Sequence, residues 1–550
     1  MDNKLTGSFY TPQELIEYMA KYISGRITPR SILEPSAGDG RFVPAISIFD
    51  CPITAVELYK EKADALHMHC GEKCEIICAD FLSYALETEK KYDFIIGNPP
   101  YISKKSLPEC QRDLSLKLVE HFKLDEALFQ NIWVSFILAS LKVLSPNGSI
   151  FFVLPFEFLQ VQYAERLREF LETKFNTIEI TTFEDCIFPE IEQDVCLVYL
   201  SNEKIEKAYI KYTTLENAES EKPTFESVIM RNKPLKKWSN CILNDTETDE
   251  LMRLSDMFAK IGSFGDISPG IVTGANSFFI LSKQDIDKLN LNVKHQLSII
   301  SKGSLIPSLL TFKPEDFMFL SGTKNRTRLL DLTGLKETEF SNELKAYLLS
   351  GEKKDIHNRY KCKKRHRWYD VPIVKKGDVC FFKRFHYLPK IIINSADIHT
   401  TDIAYNIRIK DKYDPSSFAF CFYNSLTLAL CEYNGRFYGG GVGELVPNEF
   451  KSLAIPYKKV AKEHLQQLDN MFRTETPFSD IIDYVDILPQ HCYHGRRQDD
   501  LADGVLRLGR ADLKLATHIV DLLVHIQYAG FEVQVVPLQR HQLTPAQAGG

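Results

Sequence analysis

Over residues 1–215 short apolar runs alternate with stretches of helix formers, a rhythm best satisfied by an α/β fold with a mostly parallel sheet covered on both faces. Ser31-Ile32-Leu33, Pro52 to Val56, Glu75 to Cys78 and Tyr92 to Ile96 read as strands, each leading into a turn or polar cluster. Between them Lys60 to Met68 is rich in helix formers. Phe129 to Leu144 carries apolar residues at helical spacing and stops at Ser145-Pro146-Asn147-Gly148. Ile150 to Leu154 is a nearly continuous apolar strand, with Ile178 to Thr182 and Val195 to Leu200 as two more. In such sheets ligands bind where strands end, so the loops there carry the chemistry.

The rhythm stops near residue 215. Residues 216–240 read as a linker, residues 241–478 as a second domain of mixed α+β character, and residues 479–550 as an atypical tail. After residue 490 a single lysine, Lys514, stands against Arg496, Arg497, Arg507, Arg510 and Arg540, a shift that suggests a fused or frame-shifted segment. Net charge is -6, so any nucleic-acid surface must be local. The apolar run Trp133 to Leu141 is interrupted by Ser135 and Ser140 and falls short of the roughly 20 residues a membrane span needs. The 13 scattered cysteines suit a reducing compartment, and Cys70, Cys74 and Cys78 fit no zinc pattern. The expectation is a cytoplasmic monomer with no metal and no membrane partner.

Leu33 to Phe42 contains Glu34-Pro35-Ser36-Ala37-Gly38-Asp39-Gly40, where Gly38 and Gly40 allow a tight turn close to a ligand. A pyrophosphate site would prefer Gly-x-Gly-x-x-Gly; this loop instead carries two acids, which suit a cofactor bearing an ammonium and a sulfonium. An ordinary βα turn is the alternative. Glu57 ends the second strand 23 residues after Glu34, near the offset of an acid that holds ribose hydroxyls. Asp80-Phe81 ends the third, with Asp80 placed to accept from an adenine amino group and Phe81 to stack on the ring. Three acids at successive strand ends define a pocket edge. Upstream, in Tyr10-Thr11-Pro12, Thr11 reads as the cap of a helix over Gln13 to Tyr22, with Pro12 at its first position.

Asn98-Pro99-Pro100-Tyr101 follows the fourth strand directly. An exocyclic purine amino group is a poor nucleophile because its lone pair is delocalised into the ring. Acceptors aimed at its hydrogens draw that lone pair out, and the Asn98 side-chain oxygen and Pro99 carbonyl can serve, held by two prolines. Tyr101 offers a flat face for a base. A base inside a duplex must be flipped out to reach such a pocket. Phe188, followed by Pro189, is the first choice for a second aromatic wall, with Phe183 the competitor.

In content and order these motifs resemble the gamma class of DNA N6-adenine methyltransferases, the Taq-type enzymes of restriction–modification systems. The resemblance covers roughly residues 5 to 475. It implies a seven-stranded Rossmann-like sheet, S-adenosylmethionine as donor, duplex DNA as substrate and a carboxyl-terminal target-recognition domain. It carries Tyr10, Thr11 and Pro12, Glu34 to Gly40, Glu57, Asp80 and Phe81 as cofactor-binding, and Asn98 to Tyr101 with Phe188 as catalytic. A separate cognate endonuclease is the implied partner. More loosely, Gly270 to Phe279 resembles the opening of such recognition domains, and Tyr438-Gly439-Gly440-Gly441 with Glu444, Leu445 and Pro447 their closing segment. Between them Arg359 to Tyr369 interleaves bases with aromatics; Lys361, Lys363, Lys364, Arg365 and Arg367, with Lys383 and Arg384, are the expected DNA contacts.

Three other readings remain. A protein glutamine methyltransferase shares Asn98 to Tyr101 but needs no large basic domain after it. A bifunctional enzyme would need a nuclease, for which there is no room before residue 7 and no convincing acidic cluster in the tail. A specificity subunit would not need an intact Asn98 to Tyr101.

Overall fold

The computed structural model describes residues 10–491, apart from positions 68–69, 71–72, 189–193, 204, 232–233, 242, 292–295, 387 and 439–441. Its amino-terminal half runs α1 (Gln13–Ile23), β1 (Ile32–Glu34), α2 (Phe42–Ile46), β2 (Ile53–Glu57), α3 (Lys60–Leu66), β3 (Cys74–Cys78), α4 (Phe81–Glu87), β4 (Tyr92–Gly97), α5 (Glu109–His121), α6 (Ile132–Val143), β5 (Leu144–Pro155), α7 (Glu165–Lys174), β6 (Thr177–Phe183) and β7 (Val195–Ser201). Two further strands, β8 (Tyr209–Leu215) and β9 (Phe225–Met230), complete one sheet in the order β3-β2-β1-β4-β5-β7-β6-β8-β9. The five strands from β3 to β5 are parallel to one another, and β7 runs antiparallel between β5 and β6.

The seven-strand expectation is therefore corrected to nine. The polar stretch expected to be a linker contains β9, which pairs antiparallel with β8. Its residues alternate between partly buried and exposed, so an edge strand passed for irregular chain.

Strand alternation divides the core. Along β5, Ile150, Phe152 and Leu154 join one cluster with Phe81 of α4, Leu118 of α5 and the apolar face of α6, while Phe151 and Val153 join another with Leu15 and Ile16 of α1, Phe42 of α2 and Leu66 of α3. Ten of the twelve residues of α6 are buried, as expected of a helix apolar all round.

The second half holds three smaller sheets. They comprise β10 (Gly265–Pro269), β18 (Ala404–Ile409), β14 (Val379–Phe382) and β16 (Lys390–Ile393); β11 (Ile280–Ser282), β13 (Arg326–Leu330), β12 (Gln296–Ile300) and β17 (His399–Thr400); and β15 (Arg384–Phe385), β20 (Val442–Glu444) and β19 (Arg436–Tyr438). The first core cluster continues into this half through Phe381, Phe418 and Phe450. The helix Phe478–His491 packs there through Ile481 and Val485, and Asp486 accepts from the Ser425 amide at 3.1 Å. The boundary expected at 479 thus falls inside a packed helix; residues 492–550 lie outside the described residues.

The halves are joined by hydrogen bonds to main chain. The Gln160 side chain donates to the Phe437 carbonyl and accepts from its amide at 2.8 Å. Lys237 donates to the carbonyls of Asn434 and Gly435, and Asn240 to that of Tyr433. On the amino-terminal side of this joint, fully buried Arg168 donates to the carbonyls of Phe158 and Val161 and to that of Lys236 in the connecting segment.

Candidate active site

The carboxyl ends of β1, β2, β3 and β4 open onto a cleft whose empty space, open solvent included, is about 880 Å³. Of the expected residues it is lined by Tyr10, Pro35, Ser36, Gly38, Glu57, Asp80, Phe81 and Asn98 to Tyr101. The parallel order brings these together, since each strand delivers its terminal residues to the same edge.

Glu34 lies beneath the cleft, 1% exposed. Burial pushes its carboxyl well above the usual range, and the neighbouring acids Asp39 and Glu57 push it the same way. Its Oε2 has no hydrogen-bond partner among the described residues. Glu57 uses both oxygens on main chain, accepting from the Gly38 amide at 2.8 Å and the Tyr59 amide at 2.9 Å. Gly38 and Gly40 have φ of +59° and +81°, the left-handed conformation glycine tolerates; a Cβ on Gly40 would also meet Leu66 at 2.4 Å. Asp39, Gly40 and Ala37 turn away from the cleft: Asp39 pairs with Arg41 at 2.7 Å, and Ala37 donates to Val56 O.

Asp80 caps α4 through Leu82 N at 2.8 Å and accepts from Gln111 Nε2 at 2.8 Å. Phe81 is 3% exposed and packs on Phe136, with ring centroids 5.3 Å apart, so it serves as a floor of the cleft rather than a free stacking face.

The Asn98–Tyr101 loop is anchored at both ends. Asn98 Nδ2 donates to Thr11 Oγ1 at 3.2 Å, and Ser36 Oγ donates to Asn98 O at 3.1 Å. The Tyr101 hydroxyl donates to Val153 O at 3.1 Å, while its burial pushes the phenol far above its ordinary value and keeps it neutral. Gly97 passes so close to Pro35 that a Cβ would sit 3.3 Å from the proline ring. Thr11 is not the cap of α1. Pro12 takes that position with no side-chain hydrogen bond, and the Thr11 hydroxyl goes to Asn98.

Phe188 does not line the cleft. It is 6% exposed and belongs to the core cluster of Leu15, Ile16 and Val195, because the sheet face it covers is apolar. Pro189 lies outside the described residues. Phe183 is half-buried, edge-on to Tyr18 at 6.1 Å.

Several lining residues escaped the sequence reading: Leu58, Tyr59, Lys62, Ile102, Gln111, Ile132 and Phe136. Leu58 and Tyr59 directly follow the acid of β2, a position that could have flagged them, and Lys62 lies in the first turn of α3 just beyond. Gln111, a polar residue on an amphipathic helix, gives no such signal.

In the second half, Lys361, Lys363 and Lys364 are exposed, with Tyr360 at 62%. Lys364 Nζ lies 4.1 Å from the Tyr360 ring centroid. Arg365 and Arg367, expected as DNA contacts, are bonded internally in this structure. Arg365 donates to the carbonyls of Val272 (3.0 Å), Thr273 (2.7 Å) and Trp368 (3.3 Å). Arg367 binds Asp370 at 2.8 Å and the carbonyls of Leu332 and Leu335. Trp368 packs on Phe278 and Tyr369 on Phe340, so of the tract's aromatics Tyr360 faces outward. Lys383 is half-buried, and Arg384 pairs with Glu444 at 3.2 Å. Gly439 to Gly441 lie outside the described residues, while Leu445 is fully buried and Pro447 opens the helix Pro447–Ser452. Among the described residues no group of three His, Cys, Asp or Glu could hold a metal ion, and no helix is long and apolar enough to cross a membrane.

Residues 54–188 match the family "Eco57I restriction-modification methylase", and residues 235–488 match "Type II methyltransferase M.Eco57I, C-terminal domain". The type II methyltransferase M.AccI of Acinetobacter calcoaceticus is 23% identical over 516 residues, covering 86% of this chain and 89% of that protein. M.HindII of Haemophilus influenzae is 26% identical over 376 residues, covering 64% and 69%. The type IIL restriction-modification enzyme MmeI, solved in complex with DNA, shares the fold with a TM-score of 0.52 at 13% identity, over 95% of this chain and 73% of that one. With residues 54–188 and 235–488 both matched to such families and type II methyltransferases among its relatives, the chain belongs to the restriction–modification DNA methyltransferases.

Proposed function

We propose that this chain transfers a methyl group from S-adenosylmethionine to the N6 amino group of an adenine flipped out of duplex DNA. The observation that carries the reading is Asn98-Pro99-Pro100-Tyr101 on the rim of the same cleft that the acid-bearing strand ends line. A buried Glu34, whose ionisation is opposed by burial and by the neighbouring acids Asp39 and Glu57, fits a cationic cofactor and repels a phosphate. When bound, S-adenosylmethionine supplies an electrophilic methyl group on its sulfonium. Glu34 would balance its positive charge, with Asp39, held by Arg41, contributing only at a distance. Glu57 keeps lone pairs for ribose hydroxyls beyond its two main-chain bonds. Asp80 and Gln111 would meet the edge of its adenine between the apolar walls of Ile102, Ile132 and Phe136.

The residues of the chain then do the rest by position. The Asn98 side-chain oxygen and the Pro99 carbonyl accept from the two N–H groups of the target, raising electron density on its nitrogen. The target base stacks on Tyr101, whose ring is tethered by its hydroxyl to Val153. The nitrogen gains the methyl group and one proton leaves to water. Exposed lysines of the second half supply phosphate contacts. The order of the motifs, from Tyr10-Thr11-Pro12 to the basic domain, supports the gamma class, and the natural counterpart activity is a separate endonuclease with the same target. Asn98→Ala should lower the single-turnover rate at least about 1000-fold while cofactor affinity changes less than about threefold. Retained N6-methyladenine formation, measured by nucleoside mass spectrometry, would refute the assignment.

A further inference from the structure

Asn98 is held by groups outside its own loop. Thr11 is 5% exposed, and its hydroxyl takes the Asn98 amide hydrogen. The Thr11 carbonyl in turn accepts from Arg41 Nη1 at 3.2 Å, and Arg41 Nε binds Asp39 at 2.7 Å. Ser36 secures the Asn98 main chain. A continuous series of contacts therefore runs from the cofactor loop through the amino-terminal segment to the catalytic amide.

A carboxamide is nearly symmetric in shape but not in chemistry: one end accepts, the other donates. Packing scarcely distinguishes the two orientations. For an amino-group substrate the orientation decides the outcome, because oxygen towards N6 draws on its proton while nitrogen there opposes donor to donor. A partner that occupies the amide nitrogen selects the productive orientation.

Resting on the N6-adenine reading above, we propose that Thr11 is a positioning residue, whose hydroxyl holds the Asn98 amide with its oxygen offered to the target amino group. It acts through Asn98, not on the cofactor. This role differs from both the helix cap and the cofactor contact that its sequence setting suggests.

The test is a cycle of Thr11→Val, Thr11→Ser and Asn98→Asp in the full chain, read by single-turnover methylation at saturating cofactor and DNA. Cofactor affinity is measured by calorimetry with S-adenosylmethionine, and fold by circular dichroism. Thr11→Val should slow transfer about 10- to 100-fold with cofactor affinity within about threefold of wild type. Thr11→Ser should recover most of the rate. In Asn98→Asp both heteroatoms are oxygen, so adding Thr11→Val there should cost less than about threefold. An equal cost in both backgrounds, a serine variant as slow as the valine, or a loss confined to cofactor affinity would overturn the proposal. Wild-type protein that makes another methylated base would instead refute the N6-adenine reading, leaving a Thr11–Asn98 coupling to be judged from the same cycle.

Discussion

Glu34 shows how a residue legible in the sequence acquires its character from the fold. Its place after β1 is visible as a Glu-Pro-Ser loop, but its ionisation is not, because burial and the approach of Asp39 and Glu57 exist only once the strands are paired. A carboxyl whose pKa rises on folding costs stability as pH climbs from about 4.5 through the folded value. A cationic ligand reverses that cost, so cofactor affinity should increase with pH across the same window, with proton release on binding. Glu34→Gln should flatten this dependence, raise the thermal midpoint of the ligand-free protein at neutral pH and weaken cofactor binding about 10-fold or more. Calorimetry in buffers of different ionisation enthalpy checks the proton release. Thr11, Asn98 and Tyr101 were equally visible as motif letters. Their hydrogen bonds to one another and to Val153 span up to 87 residues of chain and have no local signature.

At the scale of elements, α1 is fixed by a polar cluster inside an apolar sheet face. Glu179 on β6, 4% exposed, accepts from Tyr22, from Arg26 at 2.7 Å and from Tyr209 of β8 at 2.8 Å. Burial pushes this carboxyl up, and the Arg26 and Tyr22 hydrogen bonds outweigh it, leaving it below its usual value. The sign is opposite to that of Glu34: the stabilisation is present above about 4.5 and is lost as pH falls through the folded value. Glu179→Ala should cost about 2 kcal/mol at neutral pH, less than a fully buried pair because Arg26 is partly solvated. Its chemical denaturation curves should lose part of the acid dependence. Since α1 carries Tyr10 to Pro12 at its start, the same variant should slow methyl transfer. β1, β2, β4 and β5 were legible as apolar runs because strands buried on both faces leave a clear signal, while β3, half exposed at the sheet edge, was legible from Ile76-Ile77. β9 was missed for the converse reason: an edge strand with exposed Glu226, Val228 and Met230 looks like irregular chain.

Across the whole molecule, the basic tract separates into two kinds of residue that composition cannot tell apart. Arg365 and Arg367 brace the loop of the second half to main-chain carbonyls, while Lys361, Lys363 and Lys364 face solvent beside Tyr360. Replacing the three lysines by alanine should reduce the slope of log affinity against log salt by up to about 0.9 per lysine and weaken binding to all DNA sequences alike. Arg365→Ala should instead destabilise the fold by about 2 kcal/mol through its lost carbonyl bonds, with little change in that slope. Fluorescence anisotropy across a salt series, paired with urea denaturation, separates the two outcomes. A tract of alternating Lys and Arg announces charge, but only the carbonyls of Val272, Thr273, Leu332 and Leu335, brought beside it by the fold, show which heads turn inward.

The seam between the halves has an evolutionary reading. Gln160, Lys237 and Asn240 grip carbonyls and an amide of residues 433 to 437, not their side chains. The polar part of this joint reads only backbone and tolerates change in those residues, whereas its apolar part, which includes buried Phe437, must stay packed. Residues of the second half that lie away from this shared core can therefore change without disturbing where the two halves meet.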